Sequence, residues 1–291
     1  MSDHVSFADL TSGAVTGTIA AVIGHPVGHS LSPNLHNPWL AGAGIEGRYR
    51  AVDVPPEVLA GAVPAFRDLG LKGFNVTVPH KTAIIPHLDA LAPVARQMGA
   101  VNVVAFDEAG KATGYNTDGT GFMAHLKASV PDWPVDRPAL VIGAGGAARA
   151  AIVGLLGEPL PFVMITNRSR DKAEAIASEI GRGRVTVVDW ADRHAAVGGA
   201  GLVANTTSLG MKGQPPLELD LAAAAADSVV YDIVYQPLMT DLLTRAEARG
   251  LRTVTGLGML VEQARAAFRI WFGQLPEVPE GQIAELEARF R

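Results

Sequence analysis

Cysteine is absent from all 291 residues, which excludes disulfides, thiolate metal sites and a cysteine nucleophile. No apolar run reaches the ~18 residues that a membrane-spanning helix needs. The opening Met1-Ser2-Asp3-His4 puts no positive stretch before an apolar one, so no signal peptide is expected. Positive charge is not in excess: 24 Lys+Arg against 29 Asp+Glu leave a formal net charge of −5. That balance argues against a nucleic-acid or anionic-membrane binder relying on net charge, while leaving room for a local basic pocket. A Gly-x-Ser-x-Gly elbow is missing, which removes the serine-hydrolase reading. His25 and His29 are four residues apart, but Pro26 and Gly28 oppose a helix there and no glutamate lies between them, so no metal is expected. These absences leave a cytoplasmic protein, and 48% hydrophobic residues are enough for sizeable cores. At about 150 residues per domain, the length corresponds to roughly two domains.

What is present is a regular alternation of short β-branched runs and helical stretches, the pattern of α/β folds. Strands are expected at Thr18–Ile23, Tyr49–Val54, Gly73–Val76 and Ala100–Phe106, with a turn at Asp107–Gly110 and a short strand toward Gly114. Helices are expected at Ser32–Ala41, with Ser32 as N-cap and Pro33 at its first position, at Pro56–Leu69, and in stretches up to Met98. After a helix near Gly119–Ser129 and a proline-rich linker from Pro131 to Pro138, a second alternation begins. Its strands read as Ala139–Ile142, Phe162–Thr166, Val185–Val188, Leu202–Asn205, Val229–Ile233 and Leu251–Thr255. Its helices read as Gly145–Leu156, Asp171–Ile180 and Leu238–Arg249, the rhythm of a doubly wound nucleotide-binding domain. In Met259–Phe272, Leu260, Ala264, Ala267, Phe268 and Trp271 form one apolar helical face, expected to fold back on the first domain.

Gly143-Ala144-Gly145-Gly146-Ala147 follows an apolar strand and opens a helix, where glycines allow a tight turn and close approach to a pyrophosphate. Such a turn also serves plain packing, but its place in a βαβ unit favours a nucleotide. At the end of the next strand, where an NAD site carries an acid, the sequence reads Thr166-Asn167-Arg168-Ser169-Arg170. With no acid to repel a 2′-phosphate and two guanidiniums to bind one, NADP is favoured; the bland alternative is two solvated arginines. In the first half, Ser30 and Ser32 offer two hydroxyls at a helix start, as a carboxylate clamp or as simple capping. Lys81 ends the segment from Asn75 to His80, and Asp118 begins a helix after Asn116-Thr117; on their own each reads equally as an ordinary charge.

Nine segments in register resemble the shikimate dehydrogenase family over nearly the full length. They are Gly28–Pro33 with His36-Asn37, Asn75–Lys81, Gly99–Asn102, Gly114–Gly119, Gly143–Arg149, Asn167–Ser169, Asn205–Met211, Tyr231–Pro237 and Gly258–Ala264. The resemblance implies an N-terminal substrate domain (1–117 plus 252–291), a Rossmann-type NADP-binding domain (118–251) and an active site in the cleft between them. It implies NADPH-dependent reversible reduction of 3-dehydroshikimate to shikimate in aromatic amino acid biosynthesis, by a monomer or homodimer. Carried over, Lys81 and Asp118 become the catalytic pair, and Ser30, Ser32, Thr77, Asn102, Gln263 and Tyr235 substrate contacts. Gly143, Ala144, Gly145, Gly146, Ala147, Asn167, Arg168, Ser169, Thr206, Met211, Ile233 and Gly256 become cofactor contacts. Val103 stands where the family commonly has threonine, and Ser169 where threonine is frequent. The first change bears on substrate preference, so a quinate or dual quinate/shikimate dehydrogenase is the alternative. A non-catalytic dinucleotide-binding regulatory module is the rival from another class, but it would have no need of Lys81 and Asp118.

Overall fold

Two separate sheets take up the β-branched runs in the computed structural model, which describes residues 3–289. By its contacts the chain divides into two units: Met1–Thr117 with Ala264–Gln282, and Asp118–Gln263 with Ile283–Arg291.

The first unit is built on β1 (His4–Ser6), β2 (Thr18–Gly24), β3 (Arg48–Asp53), β4 (Gly73–Val76), β5 (Ala90–Leu91), β6 (Val103–Phe106) and β7 (Ala112–Tyr115), in the order β1-β3-β2-β4-β6-β7-β5. β1, β3, β2 and β4 run parallel, while β6 is antiparallel to both β4 and β7. Parallel neighbours require crossovers, which the helices Ser32–Gly42 and Leu59–Asp68 provide. Ile23, Val52, Phe66, Phe74 and Val104 belong to one buried cluster. The returning C-terminal segment completes this unit. Trp271 Nε1 donates to the Val104 carbonyl at 2.9 Å, in space that a Cβ on Gly73 would occupy, 2.3 Å from that nitrogen. Gln282 accepts from Trp39 Nε1 at 2.9 Å and donates to the Asn34 carbonyl at 2.9 Å.

Three expectations change here. The stretch up to Met98 is broken into a single turn at His80–Ala83, a 3₁₀ turn at Ile85–His87, β5 and a helix at Pro93–Met98, because Pro86 and Pro93 lack the donor a continuous helix needs. The strand expected from Ala100 starts at Val103, since the Ala100 carbonyl accepts from Asn116 Nδ2 rather than from a neighbouring strand. β1 and the Phe7–Thr11 helix were not legible in the sequence pattern.

The second unit carries β8 (Ala139–Ile142), β9 (Val163–Thr166), β10 (Val185–Val188), β11 (Leu202–Asn205), β12 (Val229–Asp232) and β13 (Arg252–Val254). All are parallel, in the order β10-β9-β8-β11-β12-β13. This is the doubly wound dinucleotide-binding order, with its reversal between β8 and β11. The boundary expected at residue 252 is corrected: β13 pairs with β12, so the unit continues through Gln263 and only Ala264–Gln282 joins the first unit. The boundary falls within the helix Leu257–Phe272, whose Ala264, Ala267, Phe268 and Trp271 are buried. Among the described residues, no helix is long and apolar enough to cross a membrane, and no group of three His, Cys, Asp or Glu could hold a metal.

Candidate functional site

Directly after β8 the chain turns through Gly143 at φ +116°, a conformation side chains rarely adopt, with a Cβ there only 2.8 Å from Thr206 Oγ1. Added Cβ atoms on Gly145 and Gly146 would meet nothing within 4 Å, so the open space above them is free for a ligand. Gly146 starts a helix that has no side-chain cap, and its first N–H groups can therefore serve an anion. These residues open onto a cavity of about 430 Å³. Its walls are Gly143, Ala144 and Gly145, then Asn167, Arg168, Ser169 and Lys172, then Trp190 after β10, and Thr206–Leu209, Gln214 and Pro215.

The expected cofactor residues Gly143, Ala144, Gly145, Asn167, Arg168, Ser169 and Thr206 thus come together, and no carboxylate lines their cavity. Asn167 Nδ2 donates to the Ser169 carbonyl at 2.9 Å and shapes the turn that presents Arg168. Arg170 is a correction: it pairs with Glu174 at 2.6 Å and with Asp189, and does not line the cavity. The four-residue spacing from Arg170 to Glu174 was the sequence signal for this. Lys172, which lines the cavity together with Arg168, was missed, as were Trp190 and Gln214. Lys172 could have been found by its place in the first turn of the helix that follows Arg168.

Thr206 Oγ1 donates to the Ile142 carbonyl at 2.7 Å, tying the end of β11 to that of β8. Behind it, Asn205 Nδ2 donates to Asp232 Oδ1 and to the Leu209 carbonyl, both at 3.0 Å. Asp232 also accepts from Val234 N at 3.0 Å and Thr240 Oγ1 at 2.7 Å, yet burial pushes its carboxyl up to about 6. Lys212 N donates to the Gln236 carbonyl at 2.8 Å, so this knot sets the loops carrying Met211, Ile233 and Tyr235. Met211 is exposed, and Tyr235 is half-buried with its hydroxyl pKa raised by burial. A Cβ on Gly256 would stand 2.1 Å from the Ile233 carbonyl, so Gly256 lets the two loops touch through their backbones. Gly146, Ala147, Met211, Ile233, Gly256 and Tyr235 lie outside the cavity lining. Gln263 Nε2 donates to the Leu260 carbonyl at 2.9 Å, and buried Asp118 opens the helix Asp118–Ser129.

In the first unit the hydroxyl pair is joined: Ser30 Oγ donates to Ser32 Oγ at 3.2 Å and accepts from Ser32 N at 3.3 Å. Ser32 is not the expected N-cap. The cap position is Leu31, without a side-chain bond, and Ser32 lies inside the helix. Its hydroxyl accepts from Ser30 Oγ instead. Tyr49 donates to Asn75 Oδ1 at 2.6 Å, and Asn75 Nδ2 donates to the Asn102 carbonyl at 3.1 Å. Asn102 Oδ1 accepts from Thr117 N at 2.8 Å, and Asn102 Nδ2 donates to Thr117 Oγ1 at 3.0 Å. One buried network therefore holds Asn102 through Tyr49 and Asn75, neither of them nominated from the sequence. Thr77 follows β4 with its N–H on the Ile23 carbonyl at 2.9 Å. Lys81 sits half-buried in the His80–Ala83 turn, fixed by Val101 N donating to its carbonyl at 2.8 Å. His36 stacks on Tyr49 at 4.1 Å, fully buried among Trp39, Phe268 and Trp271. Neither of its ring nitrogens has a hydrogen-bond partner, and burial lowers its pKa to about 3.

Three family models match: the shikimate dehydrogenase substrate binding domain over residues 22–104, shikimate/quinate 5-dehydrogenase over 128–210, and the shikimate 5′-dehydrogenase C-terminal domain over 256–280. A shikimate dehydrogenase (NADP(+)) of Paramagnetospirillum magneticum is 50% identical over 263 residues, 90% of this chain and 95% of that protein. A shikimate 5-dehydrogenase of Thermus thermophilus, solved with NADP(H) and shikimate, is 39% identical with a TM-score of 0.81, covering 94% of this chain and 99% of that one. A quinate dehydrogenase of Corynebacterium glutamicum, solved with NAD, is 30% identical with a TM-score of 0.84, covering 95% and 99%.

Proposed function

The chain belongs to the shikimate dehydrogenase family, and from that premise we propose that it catalyses the reversible NADPH-dependent reduction of 3-dehydroshikimate to shikimate, a step of aromatic amino acid biosynthesis. The observation that carries the reading is the cavity of the second unit: an open glycine turn, Arg168 and Lys172 at the end of β9, and no acid among the lining residues. That lining fits a dinucleotide with a 2′-phosphate. Gly143, Ala144, Gly145, Gly146 and Ala147 would serve its pyrophosphate, and Asn167, Arg168, Ser169 and Lys172 its phosphorylated ribose. Thr206, Met211, Ile233 and Gly256 belong to the loops assigned to its nicotinamide end. When bound, NADPH supplies the hydride.

The reduced ketone becomes an alkoxide that must gain a proton. The Lys81 ammonium is the proposed donor, with Asp118 as its proposed catalytic partner. Ser30 and Ser32 receive the substrate carboxylate, while Thr77, Asn102, Gln263 and Tyr235 are assigned to its remaining polar groups. The buried network behind Asn102 supports this, because groups already held need no reorganisation when the substrate arrives. Val103 leaves quinate as a second substrate to test. It is fully buried in β6, opposite Asn75 and Tyr115, so its methyl groups replace a hydroxyl in the interior. Absorbance at 340 nm with shikimate and then quinate, each with NADP and with NAD, decides. Turnover of shikimate with NADP is the expected result. No turnover of either substrate would favour a regulatory module. The reading puts the reaction in the cytoplasm, by a monomer or homodimer, which fractionation and light scattering test.

A further inference from the structure

Trp190 is the one aromatic residue among those lining the cofactor cavity. Trp190 lies two residues beyond β10, and the β10–β9 register pairs Val188 with Thr166. The segment after β10 thus runs beside Asn167, Arg168 and Ser169. Part of the indole packs against the apolar cluster that includes Val197, Leu217 and Leu219. The Arg193 guanidinium lies 4.4 Å from its ring centroid, itself held by the carbonyls of Trp190 at 2.6 Å and Glu218 at 3.2 Å. Trp190 also lines the cavity.

A flat apolar ring offers nothing to a phosphate or a ribose. It does suit the face of a purine, which stacks on aromatic side chains without needing specific hydrogen bonds. We infer that Trp190 forms the adenine-facing wall of the cavity, a binding contact for the base that is separate from the phosphate contacts of Arg168 and Lys172. The inference rests on the cofactor reading above and sharpens it. Arg193 holds the indole in place, so stacking requires little reordering of the side chain. Because adenine is common to NADP and NAD, Trp190 strengthens both equally and plays no part in choosing between them.

Fluorescence isolates this residue. Trp39, Trp133 and Trp271 are 2%, 4% and 8% exposed, whereas Trp190 is the half-buried tryptophan at the cavity. The full-length protein is titrated with adenosine 2′,5′-bisphosphate, NADP and NAD. The bisphosphate should quench the emission of the unsubstituted protein, and Trp190→Phe should bind it with similar affinity but without the quench. Trp190→Ala should weaken NADP and NAD by the same factor, roughly tenfold, while Arg168→Ala weakens NADP alone. Unchanged affinities in Trp190→Ala, a loss confined to NADP, or a quench that persists in Trp190→Phe would each overturn the inference while leaving the cofactor site standing. Should Trp190→Ala fail to fold, the Trp190→Phe titration decides. Failure of the unsubstituted protein to bind the bisphosphate or NADP is a different result, which removes the cofactor reading and the inference with it.

Discussion

In the first unit, Asn102, one of the residues assigned to the substrate, is held by buried side chains: Tyr49, Asn75, Asn102 and Thr117 are joined by hydrogen bonds of 2.6, 3.1 and 2.8 Å. In the second, the cavity is walled by main chain from Gly143 to Gly145 and by exposed side chains such as Arg168 and Ser169. The contrast follows from the ligands proposed for them. A ring polyol is told from its isomers by hydroxyl positions, which only fixed donors and acceptors can register. A dinucleotide is held largely through phosphates, for which free N–H groups and cations suffice. Substitutions of the residues assigned to the substrate and the chemistry should therefore change kcat or KM for shikimate, and those lining the cavity the affinity for the cofactor.

The largest expected effect tests the chemistry assigned to Lys81 and Asp118. Lys81→Ala should lower kcat by something like 10²–10⁴ while leaving NADPH binding unchanged. Asp118→Asn should also slow turnover, and the double variant should be little worse than the worse single, because the two act as one unit. Additive losses, or intact kcat with an altered KM, would make Lys81 a binding residue only. Next in size is the hydroxyl pair. Ser30→Ala should weaken shikimate binding roughly ten- to a hundredfold, as expected for a hydrogen bond to a charged group. Ser32→Ala should raise KM too; since Ser32 does not cap its helix, it should not show the loss of about 1 kcal/mol that a missing cap brings. Kinetics and melting on the same variant separate the two.

The units should also respond oppositely to acid. His36 has its folded pKa depressed from 6.5 to about 3, so below pH 6.5 the unfolded chain binds a proton that the fold refuses. Its contribution to stability falls with pH, by about 2 kcal/mol between pH 6.5 and 5. Asp232 has its folded pKa raised from 3.8 to about 6, so between those values the folded state holds the extra proton and stability rises as pH falls. Amide exchange at pH 7 and pH 5 should show protection falling around His36 and not around Asp232, and Asp232→Asn should flatten the second unit's response. Equal slopes in both units would break the contrast. The smallest effect is that of Arg168→Ala, which should cost NADP about tenfold in kcat/KM, roughly 1.4 kcal/mol, and leave NAD nearly untouched.

Local chemistry explains what could be read from the sequence. The second sheet was legible strand by strand, since its buried central strands β8, β9, β11 and β12 are near-continuous apolar runs, and the glycine turn that follows β8 is a local motif. The network of the first unit was not, because Tyr49, Asn75 and Asn102 are far apart in sequence and meet only through the pairing of β2, β3, β4 and β6. Ser32 looked like a cap because serine before proline at a helix start usually is one; the helix instead begins at Ser32, whose hydroxyl pairs with Ser30. Arg170 looked like a phosphate ligand because its pairing with Asp189 depends on a strand 19 residues away.

The Trp271 indole that fills the space left by Gly73 sets an order of events during synthesis. The six strands of the second sheet lie between residues 139 and 254 and need nothing from beyond Gln263 to be complete as a sheet. The first unit, although residues 3–117 precede that sheet in the chain, lacks Phe268, Trp271 and Gln282 until the last strand of the second sheet has been made. Until then Trp39 Nε1 has no Gln282 to donate to, and the aromatic box around His36 stands open on one side. The unit whose strands are made first is thus the one whose core closes last.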